Sequence, residues 1–248
     1  MTLPLAATLS LAALALPTAA HAIAATPASS PLVNSGFSDA FLQGSSLIFV
    51  SELGDKTFFI ATILAAKASK WLTFAGCAGA LAIMTVISVL IGQIFHQVPT
   101  SITQGLPLDD YVAVASFFFF GVKAIADAYN IGKSEDGAGI EEEREDAEKV
   151  LEEAGTGEKS GWPLIFEACT LTLAAEIGDR SQIATIALAA AANPWGVALG
   201  GTAGHCLATG MAVVGGSFIS KYLSERVIGF IGGGLFLIFG LTTLIALF

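Results

Sequence analysis

The chain has 248 residues, 54% of them apolar and 13% charged, with a mean hydropathy of +0.74. That composition excludes an ordinary water-soluble globule and places the chain among polytopic membrane proteins, with no sizeable soluble domain left over. The net charge of −10 comes mostly from one stretch, Glu135 to Glu158, and no basic patch marks a nucleic-acid partner.

Residues 1–26 read as a targeting segment. An apolar run, Leu3–Leu16, is followed by Pro17 and by Ala20-His21-Ala22, an A-x-A pattern of the kind cleaved from secreted proteins. The basic start of such leaders is missing, so cleavage after Ala22 and retention as a short extra helix both stay open.

Beyond the leader the chain is expected to be all-α. A hydrocarbon core of about 30 Å is crossed by about 20 helical residues. Six spans meet or approach that length, at 41–66, 71–95, 111–130, 163–191, 195–219 and 227–247. Lys and Arg mark the cytoplasmic side. They fall in the first, third and fifth connections: Lys67 and Lys70; Lys133, Arg144, Lys149 and Lys159; Lys221 and Arg226. The stretches His96–Asp110 and Ala192–Pro194 carry none. The first span therefore enters from outside, the C-terminus ends outside, and the linker 131–161 is cytoplasmic. Within that linker Ile140–Ala154 reads as a short acidic helix, with Arg144/Glu148 and Glu145/Lys149 at ion-pair spacing.

The chain repeats itself. A shift of 124 residues aligns Glu52 with Glu176, Gly54 with Gly178, Asp55 with Asp179, Trp71 with Trp195, Gly76 with Gly200 and Gly92 with Gly216. Residues 41–130 and 162–248 thus form two repeats of three spans each, and an odd number of spans turns the second repeat upside down. Inverted repeats of this kind enclose a mid-membrane site in many secondary transporters.

The repeated core is a short polar sentence inside apolar sequence, Glu52-Leu53-Gly54-Asp55-Lys56-Thr57 and Glu176-Ile177-Gly178-Asp179-Arg180-Ser181. Ionisable groups within a span are expensive and default to a functional role. Glu52 and Asp55 are expected to share a helical face, as are Glu176 and Asp179, with Gly54 and Gly178 letting the two helices approach closely. Four carboxylates crowded there cannot all carry uncompensated charge, so either protons or a divalent cation must balance them. Carboxylates with the hydroxyls of Thr57 and Ser181 and the amide of Gln182 are hard oxygen donors, suited to Ca²⁺, Mg²⁺ or Mn²⁺. Neither motif holds a His or Cys, which argues against Zn²⁺ or Cu⁺.

Lys56 and Arg180 are charge-balancing candidates, either neutralising a carboxylate or pairing with the opposite half. Phe58 stands where the second motif has Gln182, so the second half is expected to offer more neutral oxygen. Thr62 and Thr185 are further candidate donors. Asp127 and Glu167 read as solvated interfacial acids, with a role as entrance acids as the alternative. His205 reads as a packing residue, with proton relay as its alternative. Cys77, Cys169 and Cys206 lie in apolar spans without CxxC spacing and read as small hydrophobes.

In its two motifs the chain resembles the GDT family of cation/proton exchangers, within the wider lysine-exporter-like superfamily. The family pattern is a doubled Glu-x-Gly-Asp-(Lys/Arg)-(Thr/Ser), present here as ELGDKT and EIGDRS, and the resemblance covers roughly Phe41 to Phe248. It implies exchange of Mn²⁺, and in some members Ca²⁺, for protons. It implies Glu52, Asp55, Glu176 and Asp179 as acidic ligands, with Thr57, Ser181 and Gln182 beside them. It also implies a bacterial plasma membrane or a thylakoid or plastid membrane. The transported ions are substrates, so no cofactor and no enzymatic activity are expected. The partners expected are the cation and the lipid bilayer, and homo-oligomerisation stays open.

Three rival functions fit the residues less well. An intramembrane aspartyl protease needs a GxGD motif, but Glu52 and Glu176 stand where its first glycine belongs. A membrane assembly scaffold has no need of mid-membrane acids. An amino-acid exporter of the same superfamily should need fewer of them.

Overall fold

The computed structural model describes residues 36–96, 108–131, 138–155 and 160–247. The leader 1–26, Lys133, Glu135, Glu158 and Lys159 lie outside the described residues. All regular structure among those described is helical: α1 (Phe37–Glu52), α2 (Lys56–Lys67), α3 (Lys70–His96), α4 (Leu108–Asn130), α5 (Ala138–Glu153), α6 (Trp162–Glu176), α7 (Arg180–Ala191), α8 (Pro194–Ile219) and α9 (Glu225–Ala246). A 3₁₀ turn, Ser220–Tyr222, joins the last two.

Four helices are long and apolar enough to cross a membrane, over Lys70–His96, Asp110–Asn130, Pro194–Tyr222 and Glu225–Ile245. Their outer faces expose Leu90, Ile94, Phe119, Val214, Phe218 and Leu241. A surface this apolar and this extensive belongs against lipid. Trp71, Trp162 and Trp195 are exposed beside helix starts, where amphipathic rings suit the membrane interface.

The expected spans 41–66 and 163–191 are not continuous helices. Each is cut at its acidic motif, between Glu52 and Lys56 and between Glu176 and Arg180. The reason is local. Gly54 and Gly178 take φ of +80° and +84°, a left-handed conformation that glycine reaches without penalty and that ends a right-handed helix. The flanking backbone matches as closely: Leu53 is at φ −69°, ψ 111° and Ile177 at −61°, 117°. Asp55 at −76°, 166° and Asp179 at −68°, 161° restart each helix as its N-cap. The restart is the same hydrogen bond twice, Phe59 N–H to the Asp55 carbonyl and Ile183 N–H to the Asp179 carbonyl, both 3.2 Å. The motif therefore encodes a break, not a helical face, and its glycines serve backbone conformation. A side chain on Gly178 would meet no atom within 4 Å, so no close helix contact depends on that glycine.

The halves interlock. The broken pair α1/α2 packs on α8, while the broken pair α6/α7 packs on α3, and α4 packs along α9. The aligned glycines make the contacts reciprocal. Gly76 presses on the Ile165 carbonyl and Gly200 on the Phe41 carbonyl; Gly92 presses on the Ile186 carbonyl and Gly216 on the Thr62 side chain. Each contact and its counterpart differ by 124 at both ends. Reciprocal pairing of this kind is the mark of a two-fold relation between two surfaces.

The acidic linker helix α5 docks on the bundle through Ile140, Ala147 and Leu151, which join Phe58, Phe59 and Leu64 in one buried cluster. The Arg144–Glu148 pair forms at 3.2 Å. The expected Glu145/Lys149 pairing does not, because Lys149 reaches the nearer Asp146 at 3.1 Å. Cys77 is buried, Cys169 and Cys206 are partly buried, and all three are free thiols.

Candidate functional site

Each broken helix delivers its glutamate to the interior. Glu52 and Glu176, the last residues of α1 and α6, are 3% and 2% exposed. Each is held by the hydroxyl five residues on, across the break. Thr57 donates to Glu52 Oε2 at 2.9 Å, and Ser181 donates to Glu176 Oε1 at 2.5 Å. The break brings these hydroxyls back over the glutamate.

Carboxylate oxygens of Glu52, Asp55 and Glu176 lie within 4.8 Å of one another, close enough to hold one metal ion together. The interlocked packing is what joins them, because Glu176 comes from the other half of the chain. Asp179, the fourth expected carboxylate, is turned to its own helix, where its Oδ2 accepts from Ser181 N–H at 2.9 Å. Asp55 makes no such cap. Its Oδ1 lies 4.0 Å from the Arg180 guanidinium instead.

The two bases thus diverge. Arg180 faces Asp55 of the other half. Lys56 pairs with neither motif but with Asp146 of the linker helix, at 3.3 Å.

Gln182 is spent on the backbone. Its Oε1 accepts from Gly178 N–H at 2.7 Å, and its Nε2 faces the Met84 sulfur at 3.3 Å. In the first half the matching Phe58 is buried in the apolar cluster with α5. Thr62 and Thr185 donate to carbonyls one turn back in their own helices, those of Phe58 and Ser181. Asp127 is exposed and paired with Lys123 at 3.1 Å.

A cavity of about 400 Å³ leads to this cluster from the linker side. Its wall includes Asp55, Arg180, Asp127, Glu142, Glu143 and Glu225. Glu143, on α5, has its carboxyl held above the ordinary range, first by burial and against the pull of Lys56 and Arg180. One residue read from the sequence as a packing residue, with proton relay as its alternative, lies beside the site. His205 of α8 places Nδ1 3.7 Å from Glu52 Oε1. Nothing in the spacing of the motifs points to it.

The family model of the divalent cation/proton antiporter GDT1 matches residues 40–132 and 164–248. A chloroplast PAM71 homologue of Arabidopsis thaliana is 44% identical over 88% of this chain and 61% of its own length. A chloroplast GDT1-like protein of rice is 45% identical over 88% of this chain and 63% of its own length. The chain thus spans less than two thirds of these plant relatives. A GDT1-like protein of Synechocystis sp. is 45% identical over 82% of this chain and 96% of its own length. No solved structure matches.

Proposed function

Because this chain belongs to the GDT1 family of divalent cation/proton antiporters, we propose that it exports Mn²⁺ from the cytoplasm in exchange for protons, with Ca²⁺ as the second candidate cation. The observation that carries this reading is the meeting of Glu52, Asp55 and Glu176 at two helix breaks from opposite halves of the chain.

The chemistry follows from burial and charge. Carboxylates in an enclosed apolar setting need a compensating charge, and either protons or one divalent cation supplies it. The two loads exclude each other, so cation entry drives protons off and protons drive the cation off. Thr57 and Ser181 hold the glutamates in place whichever load is bound. Asp179 is a fourth ligand in this reading, released from its cap when a cation draws it inward.

The reading extends to topology. The six expected spans count α1 with α2 and α6 with α7 as one broken span each, and the Lys/Arg distribution sets the two repeats in opposite orientations. Discontinuous spans meeting at mid-depth between inverted repeats suit alternating access, with one bundle rocking against the other. The linker cavity is then the cytoplasmic entrance. The chloroplast and cyanobacterial relatives support a thylakoid, plastid or bacterial plasma membrane as its home.

Uptake of radioactive Mn²⁺ into proteoliposomes under an imposed pH gradient tests the reading. Uptake should follow the gradient and be lost in Glu52→Gln combined with Glu176→Gln. Uptake indifferent to the gradient, or unchanged in that variant, contradicts it.

A further inference from the structure

The first-half glutamate has a neighbour that its repeat partner lacks. His205 is 3% exposed, and its Nδ1 has no hydrogen-bond partner among the described residues. It faces Glu52 Oε1 at 3.7 Å, beyond hydrogen-bond range, while the other oxygen of Glu52 is taken by Thr57. An imidazole present only to fill space leaves a buried nitrogen unsatisfied, which folded proteins avoid. The ring is not free to drift. The preceding Gly204 lets α8 press on α1, and a Cβ there would stand 2.7 Å from the Ser45 carbonyl oxygen.

The separation fits a shared ion. Two donor atoms each about 2.0–2.3 Å from one metal lie between about 3 and 4.5 Å apart. His205 stands outside the three carboxylates whose oxygens lie within 4.8 Å of one another and approaches only Glu52, so it joins them on one ion when the cluster contracts around that ion. At the matching place in the first half, 124 residues earlier, stands Leu81, buried and without a donor atom. The nitrogen is therefore offered from one side only.

We infer that His205 is a specificity-determining residue of the cation site, its Nδ1 supplying beside Glu52 a nitrogen donor that favours a d-block divalent cation over Ca²⁺. Ca²⁺ and Mg²⁺ take oxygen donors, whereas d-block ions accept imidazole nitrogen as well. The all-oxygen donor set read from the motifs is incomplete on this account, because a second span brings in the nitrogen. The inference rests on Glu52 being a cation ligand, as proposed above.

The test is binding to the purified full-length protein, read two ways. Pulsed electron paramagnetic resonance of bound Mn²⁺ should show coupling to an imidazole nitrogen, retained in His96→Gln and absent in His205→Gln. Competition between Mn²⁺ and Ca²⁺ should show His205→Leu losing preference for Mn²⁺ by about tenfold or more, the range seen when a metal site loses a supporting partner. Mn²⁺ bound to the wild-type protein without nitrogen coupling overturns the inference and leaves the carboxylate site standing. An unchanged Mn²⁺/Ca²⁺ ratio in His205→Leu does the same. A wild-type protein that binds neither ion overturns the inference together with the site. The nitrogen signal of the wild type needs no variant to fold.

Discussion

Arg180 of the second motif lies 4.0 Å from Asp55 of the first, while the equivalent base, Lys56, reaches away to Asp146 on the linker helix. The repeat is therefore symmetric in backbone and asymmetric in charge. In the proposed site, Arg180 is the counter-ion that an entering cation would displace from Asp55. Arg180→Ala should tighten Mn²⁺ binding, by up to about fivefold for a half-exposed pair worth at most about 1 kcal/mol, and should slow turnover because release becomes harder. Lys56→Ala should leave binding within about twofold, since its partner is a surface pair. Equilibrium binding and initial exchange rates on both variants check this. Equal effects from the two substitutions would contradict it.

The helix breaks give a second prediction. Gly178 is held at φ +84° with open space around its missing side chain, so any residue there meets backbone strain and nothing else. Gly178→Ala should destabilise by about 1–2 kcal/mol, and Gly178→Asn by less, because Asn tolerates the left-handed region. The melting temperature in detergent should fall by roughly 2–8 °C for alanine. Gly79, a helical glycine with nothing near it, is the control, and Gly79→Ala should be neutral or stabilising.

These breaks are also where reading from sequence alone stopped short. The repeat, the pairing of its two motifs and the positions of the four long helices were legible, because they depend on residue identity and hydropathy. The break itself was signalled by Gly54 followed by Asp55, a left-handed glycine before an N-cap. In an apolar span that signal was outweighed by helical continuity. Gln182 has an oxygen of the right chemistry, yet the break exposes Gly178 N–H and claims it. His205 was legible as a residue but not as a neighbour of Glu52, since that contact depends on α8 crossing to the other half.

Reciprocal packing predicts paired sensitivity. A Cβ on Gly76 or on Gly200 would strike the backbone carbonyl of the opposing broken helix. Gly76→Ala and Gly200→Ala should therefore destabilise alike, by about 1–3 kcal/mol for overpacking at a tight contact. Gly234→Ala, with nothing within 4 Å, should not. Thermal unfolding of the three variants reads this out. If only one of the reciprocal pair is sensitive, the two-fold relation of the halves is broken.

The linker helix gives a pH dependence with a definite sign. The Glu143 carboxyl is raised above its ordinary value by burial, so the folded state holds its proton more tightly than the unfolded chain does. Its contribution to the docking of α5 is fully present below about pH 4.5, the ordinary value, and is lost as pH rises through the folded value. Amide exchange of α5 should therefore be slower at pH 5 than at pH 7, after correction for intrinsic rates. Glu143→Gln should keep the slower exchange at both. Equal protection of the wild type at the two pH values would contradict the assignment.

If one buried carboxylate site carries either a divalent cation or protons, every Mn²⁺ that enters must send protons out. Proteoliposomes with a pH dye trapped inside, and with membrane potential clamped by potassium and valinomycin, receive Mn²⁺ outside and no imposed pH gradient. The lumen should turn alkaline as Mn²⁺ enters, and Glu52→Gln with Glu176→Gln should abolish both changes together. Mn²⁺ accumulating inside while the lumen pH stays constant would contradict it.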